Sequence, residues 1–174
     1  MLSKREHVRK VETLRVAGID PGLANLGLGA VEQGYRTTVC LDSKLVRTGP
    51  REAQTARLHT IYTETSAFLK ANKPDALAIE GQYFHRQREV AFKVGQAVGA
   101  CLVAAAELEI PVFEYGPMQV KQTLVGTGRA SKAQVAYMVR ALLSLTKTPE
   151  SNHVADALAL ALTHLSAYKL KALG

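Results

Sequence analysis

Four residues have the chemistry of a divalent-metal site: Asp20 in Gly18-Ile19-Asp20-Pro21-Gly22, Glu80 after Leu77-Ala78-Ile79, and His153 with Asp156 in Asn152-His153-Val154-Ala155-Asp156. Asp20 and Glu80 stand at the ends of apolar, strand-like runs, and His153 and Asp156 are one helical turn apart, so they share a face. A lone buried carboxylate is costly, whereas one that ligates a cation is compensated. Asp156 is the most telling: Val154 to Leu162 is apolar around nearly the whole helix, which marks a buried element. A protonated imidazole is disfavoured at a positive helix end, so His153 is expected to be neutral and able to bind metal. Each residue also has a plainer role to weigh: Asp20 as a turn residue before Pro21, Glu80 as a solvated strand end, His153 as a solvated helix start.

The elements that must position these groups can be read along the chain. Leu14 to Ile19 is a short strand stopped by Asp20-Pro21-Gly22. Leu26 to Glu32 is a second strand, Gln33-Gly34 a hairpin-like turn, and Tyr35 to Leu45 a third strand, giving an antiparallel meander. Glu52 to Ala71 reads as a surface helix ended before Lys73-Pro74, and Ala76 to Ile79 as a buried strand. Arg88 to Leu108 is a long helix, Val112 to Tyr115 a strand, and Met118 to Leu124 and Ser131 to Leu143 short helices separated by a glycine loop. A last helix starts near Ser151 or Asn152, either a good N-cap, and runs to about Ala167. The expected fold is α/β, a mixed five-stranded sheet flanked by helices.

At 174 residues the chain is expected to form one domain, residues 14–167, between a basic N-terminal extension (1–13) and a short C-terminal tail (168–174). Lys and Arg number 22 against 15 acidic residues, a net charge of +7, which suits a polyanionic partner. Cys40 and Cys101 lie in apolar segments without metal-motif spacing and are expected to be buried, reduced thiols of a cytoplasmic protein. Every long apolar run carries charge, so no membrane span is expected.

Lys121 and Lys132 flank the loop Gly126-Thr127-Gly128-Arg129, where glycines let backbone approach phosphate and Arg129 adds charge. Tyr83-Phe84-His85-Arg86-Gln87-Arg88 sets two aromatics, able to stack on unpaired bases, before two arginines able to hold phosphates. Core packing of one aromatic is the competing reading. The long helix carries Ala91, Gly95, Ala97, Gly99 and Ala100, small residues that permit close approach of another helix or packing on the sheet.

Together, Gly18-Ile19-Asp20-Pro21-Gly22, Ala78-Ile79-Glu80-Gly81-Gln82, Gly116-Pro117-Met118-Gln119-Val120-Lys121-Gln122 and Asn152 to Ala159 resemble, in order and over Leu14 to Leu165, the motifs of the RuvC family of Holliday-junction resolvases. The resemblance implies an RNase H-like fold, a homodimer, and paired symmetric nicks in four-way DNA junctions during recombination and repair. It also implies work alongside RuvA and RuvB, the junction-binding and branch-migration proteins. Two Mg²⁺ ions per site are implied, with Mn²⁺ effective or preferred. Asp20 would bridge the ions, Glu80 hold the one near the leaving group, and His153 with Asp156 the one that activates water. Lys132 and Lys121 match functional lysines, Arg129, Arg86 and Arg88 would contact DNA, and Tyr83 or Phe84 would wedge at the crossover. His153 departs from the aspartate that many relatives carry. Loss of one negative charge implies weaker Mg²⁺ binding, relatively better activity with Mn²⁺ and loss of activity as pH falls through the histidine's pKa. Three alternatives stay open: a non-catalytic binding module of the same fold, an RNase H-like nuclease acting on another nucleic acid such as RNA, and an actin-like ATPase, whose second lobe a chain of this length is not expected to supply.

Overall fold

The structure, a computed structural model, describes residues 13–34, 36–81 and 88–173. Strand β1 (Leu14–Asp20) is central because both its faces are apolar, and it lies between β2 (Asn25–Gln33) and β4 (Ala76–Glu80). The order β3-β2-β1-β4-β5 places β3 (Thr38–Arg47) and β5 (Val112–Tyr115) at the edges. β1, β2 and β3 pair antiparallel, whereas β4 runs parallel to both β1 and β5. This is the mixed five-stranded sheet that the strand patterning foretells.

Alternation along the strands sends successive residues to opposite faces. Ala17 and Ile19 of β1, with Leu77 and Ile79 of β4, face α1 (Gln54–Asn72) and α2 (Arg88–Glu107) in a core that includes Ile61, Leu69, Ala97 and Cys101. Val16 and Ala78 project the other way, into a core with α3 (Pro117–Val125), α4 (Lys132–Leu142) and α5 (Asn152–Leu173). By the same alternation Asp20 and Glu80 lie on the α5 side.

Local chemistry sets the element ends. α1 stops at Lys73, which adopts a left-handed φ of 46° ahead of Pro74. α3 begins with Pro117 and ends at Gly126, φ 85°. Ser131 and Gln134 form a reciprocal capping box on α4. Of the two candidate caps for α5 the structure selects Ser151, whose Oγ accepts from the Val154 N–H at 3.2 Å.

Four details differ from the sequence reading. β3 begins at Thr38, the partner of Gln33, rather than at Tyr35. α5 continues to Leu173 past Ala167, because Lys169 to Leu173 contain neither Gly nor Pro to stop it. Cys40 is half-buried, since β3 is an edge strand with an open side, while Cys101 is fully buried beside Thr65 and its thiol is pushed up to about 11 by burial. Glu89–Glu107, although interrupted by Lys93, is long and apolar enough to cross a membrane by length and composition. Its inner side, Ala97, Cys101 and Ala105, belongs to the core.

Candidate metal and DNA-cleavage site

Because β1 and β4 are parallel neighbours in register through Ile19 and Ile79, Asp20 and Glu80 emerge side by side at their carboxyl ends. That is where open α/β sheets place their ligands. Helix α5 crosses above them, and glycine backbone allows it to lie unusually low. A Cβ on Gly18 would stand 1.8 Å from the Ala157 carbonyl oxygen, and one on Gly27, the register partner of Asp20, 2.0 Å from that of His153. Both distances are far inside contact, so only glycine fits beneath the helix. The low seat brings His153 Nδ1 to 2.7 Å from Asp20 Oδ2, across 133 residues of sequence.

Asp156, one turn on, pairs with Lys132 Nζ at 3.3 Å. Lys132 is the first residue of α4, an unfavourable place for a cation against the helix dipole, and its side chain is 77% exposed. A position held against local preference, with a carboxylate for a partner, marks a group aimed at the site.

Burial pushes the Asp20 carboxyl above the usual range, the His153 hydrogen bond opposes this, and the Asp156 charge reinforces it. Glu80 is raised first by burial and then by Asp20 and Asp156. The Lys132 ammonium is raised chiefly by Asp156, with Asp20 and Glu80 adding to it. Three carboxylates crowded into a half-dry pocket, one of them without a hydrogen-bond partner among the described residues, favour an added cation. The donor set of carboxylate oxygens and one imidazole nitrogen fits Mg²⁺ or Mn²⁺. Among the described residues no three of these donors are gathered closely enough to enclose one ion. Asp20 is turned to His153 and Asp156 to Lys132, so holding a cation would require these two pairings to be exchanged for metal contacts.

The four donors open on one cavity of about 650 Å³, which Lys121 and Lys132 also line. Its apolar wall comes from Val90 and Val94 of α2 and Pro117 and Val120 of α3. Arg129 is exposed on the α3–α4 loop and is not among the cavity's lining residues. The backbone donors of the glycine loop are partly taken up locally. Gly126 caps α3, the Gly128 N–H donates to Gln122 Oε1 at 3.1 Å, and the Arg129 N–H donates to Thr127 Oγ1 at 3.3 Å. Those two donors thus have partners within the loop and its flanking helix. Tyr83, Phe84 and Arg86 lie outside the described residues; Arg88 opens α2, and its side chain is not described.

Gly18 and Gly27 are residues that the sequence reading passed over. Their signal was present: Gly18 shares a face with Asp20, and Gly27 and Gly29 alternate on β2, a pattern that removes side chains from one face of a strand.

Residues 16–164 match the family model described as Crossover junction endodeoxyribonuclease RuvC. The protein of that name from Thermus thermophilus is 49% identical over 152 residues, which cover 86% of this chain and 92% of the relative. The one from Natranaerobius thermophilus is 41% identical over 156 residues, 90% of this chain and 97% of the relative. The solved structure of T. thermophilus RuvC in complex with Holliday junction substrate is similar with a TM-score of 0.87 at 46% identity, covering 91% of this chain and 96% of that one. The yeast mitochondrial Holliday junction resolvase, 14% identical with a TM-score of 0.67 and coverage of 93% and 82%, shares the fold alone. The match in sequence and in structure over most of the chain shows that the chain belongs to the RuvC family of crossover junction endodeoxyribonucleases and has their RNase H-like fold.

Proposed function

We propose that this chain resolves four-way DNA junctions by metal-dependent hydrolysis of phosphodiesters, leaving 5′-phosphate and 3′-hydroxyl ends, with Asp20, Glu80, His153 and Asp156 as the metal ligands. The observation that carries the reading is the convergence of those four donors and two lysines on one cavity at the ends of parallel strands in a RuvC-family chain. Divalent cations, Mg²⁺ or Mn²⁺ and two per site, supply a water made nucleophilic near neutral pH and neutralisation of the leaving oxygen. The chain's own groups do the rest. Lys132, freed from Asp156 once that carboxylate takes up a cation, lies on the cavity wall within reach of an entering phosphate and stabilises its growing negative charge. Lys121 neutralises the adjoining backbone, and Arg129, Arg86 and Arg88 extend the electrostatic track outside the cavity. Tyr83 or Phe84 stacks at the open centre of the junction.

Paired nicks need two sites related by a two-fold axis, and α2 offers the surface. Phe92, Gly95, Gly99 and Val103 recur at helical spacing on one side, with Phe92 67% and Val103 53% exposed. Side chains added at Gly95 and Gly99 would meet nothing within 4 Å, so both glycines face outward, whereas Ala97 packs inward. We assign this stripe to the homodimer seam, which also accounts for a long apolar helix only 28% buried in the single chain. RuvA and RuvB are the partners this role calls for, in the cytoplasm where bacterial DNA is recombined.

Incubation of the purified chain with a labelled four-way junction, the matching duplex and single strand, with Mg²⁺ or Mn²⁺, tests the reading. Symmetric nicks in the junction alone are expected. Equal cutting of duplex or single strand would assign the site to a general nuclease, and binding without cutting would leave a recognition module.

A further inference from the structure

Helix α5 is tied to the sheet a second time, behind the carboxylates. Tyr115 ends β5 and is the register partner of Glu80, and its carbonyl accepts the Gly81 N–H at 3.1 Å. Register partners on parallel strands project from the same face, here the α5 face. There Tyr115 Oη and His164 Nδ1 share a hydrogen bond of 2.8 Å, while Phe113 packs its ring against the same imidazole at 4.4 Å. Tyr115 is 7% exposed and His164 6%.

His164 lies eight residues beyond Asp156 with Leu160 midway, so the three share one stripe of the helix. The residue beside Glu80 in the sheet therefore grips the helix that carries Asp156 and His153. Around it the interface is Ala157, Leu158 and Ala161, whose close apolar packing on glycine fixes the height of the helix but, being non-directional, opposes sliding along the sheet less. A hydrogen bond does not tolerate sliding, since the bond weakens steeply with misalignment. A Phe and a Leu would fill this layer without any need to satisfy polar atoms, so a buried polar pair here is better suited to fixing position than to adding stability.

We propose that Tyr115 and His164 are positioning residues that set the separation of Glu80 from Asp156, and through it the affinity of the site for divalent cations. Neither lines the cavity, so both act through the elements they join. The inference rests on the metal-site reading above.

The full chain and the variants Tyr115→Phe, His164→Leu, His164→Asn and Ile61→Val test it by two readouts: the rise in melting temperature of the DNA-free protein across a Mn²⁺ titration, and the Mg²⁺ dependence of junction cleavage. Tyr115→Phe and His164→Leu are expected to raise both midpoints severalfold and to lower kcat about tenfold, within the loss that a misplacement of about 1 Å can cause. His164→Asn, which keeps a hydrogen-bonding atom near the Nδ1 position, recovers most of this. Ile61→Val perturbs the opposite core and moves neither midpoint. Wild-type midpoints and kcat in Tyr115→Phe overturn the proposal, as does an equal shift in Ile61→Val. Should His164→Leu fail to fold, Tyr115→Phe, which removes one oxygen, carries the comparison. A wild-type chain that neither cleaves nor gains stability from Mn²⁺ refutes the metal-site reading instead.

Discussion

Gly27 lies directly under the backbone of His153: a Cβ there would stand 2.0 Å from the His153 carbonyl oxygen. Since Gly27 pairs with Asp20 across the β1–β2 ladder, the height of α5 and the distance from Asp20 to His153 are one quantity. Gly27→Ala must lift the helix. Overpacking of this kind costs about 1–3 kcal/mol, and the same displacement separates the ligands, so cleavage should fall further than stability implies. Melting temperature measured beside kcat tests this; normal kcat in a destabilised variant would contradict it.

Asp20→Asn should abolish cleavage while sparing junction binding, because phosphate contacts rest on the basic groups. In EDTA the variant should melt no lower than wild type, since a largely buried carboxylate, 15% exposed and repelled by Asp156, is a liability without a cation. The stabilisation by added Mn²⁺ should shrink. A large drop in metal-free stability would argue for a purely structural aspartate.

The pH dependence of the metal-free protein follows from the same two carboxyls. Asp20 and Glu80 have folded-state pKa values above their ordinary ones. Between the two values the folded chain binds more protons than the unfolded chain, so stability falls as pH rises through that window and is fully regained below it. The melting temperature of wild type relative to Asp20→Asn should therefore improve as pH is lowered from neutral toward the ordinary carboxylate range. A constant difference would refute it.

His153→Asp restores a fourth negative charge. Half-maximal cleavage should then need less Mg²⁺, and the advantage of Mn²⁺ over Mg²⁺ should narrow, because a hard cation gains more from carboxylate than from imidazole. Equal Mg²⁺ midpoints in the two proteins would dispose of the idea.

Phe92→Glu puts charge on the exposed stripe of α2 without touching either core. The chain should remain folded but sediment as a monomer, and junction products should shift from paired to single nicks. A dimer unaffected by the change would move the seam elsewhere.

Much of the fold is local and so was legible. Lys73-Pro74, Gly126 after α3 and Ser131 with Gln134 mark helix ends by their own chemistry. Alternation in β1 and β4 shows where Asp20 and Glu80 emerge. The end of α5 and the start of β3 were misjudged for the opposite reason: no residue at Ala167 stops a helix, and the first residue of β3 is set by pairing with Gln33, a partner in another strand.

The sequence by itself determined the candidate donor residues, their order along the chain and the elements that carry each of them, because capping, periodicity and turn chemistry act over a few residues. Only the tertiary structure decided that His153 reaches Asp20, that Lys132 turns to Asp156 and Tyr115 to His164, and that Gly95 and Gly99 face outward while Ala97 faces in. Those relations depend on how low α5 rests on the sheet and which side of α2 meets α1. Both are set by packing between segments far apart in sequence, which no local pattern encodes.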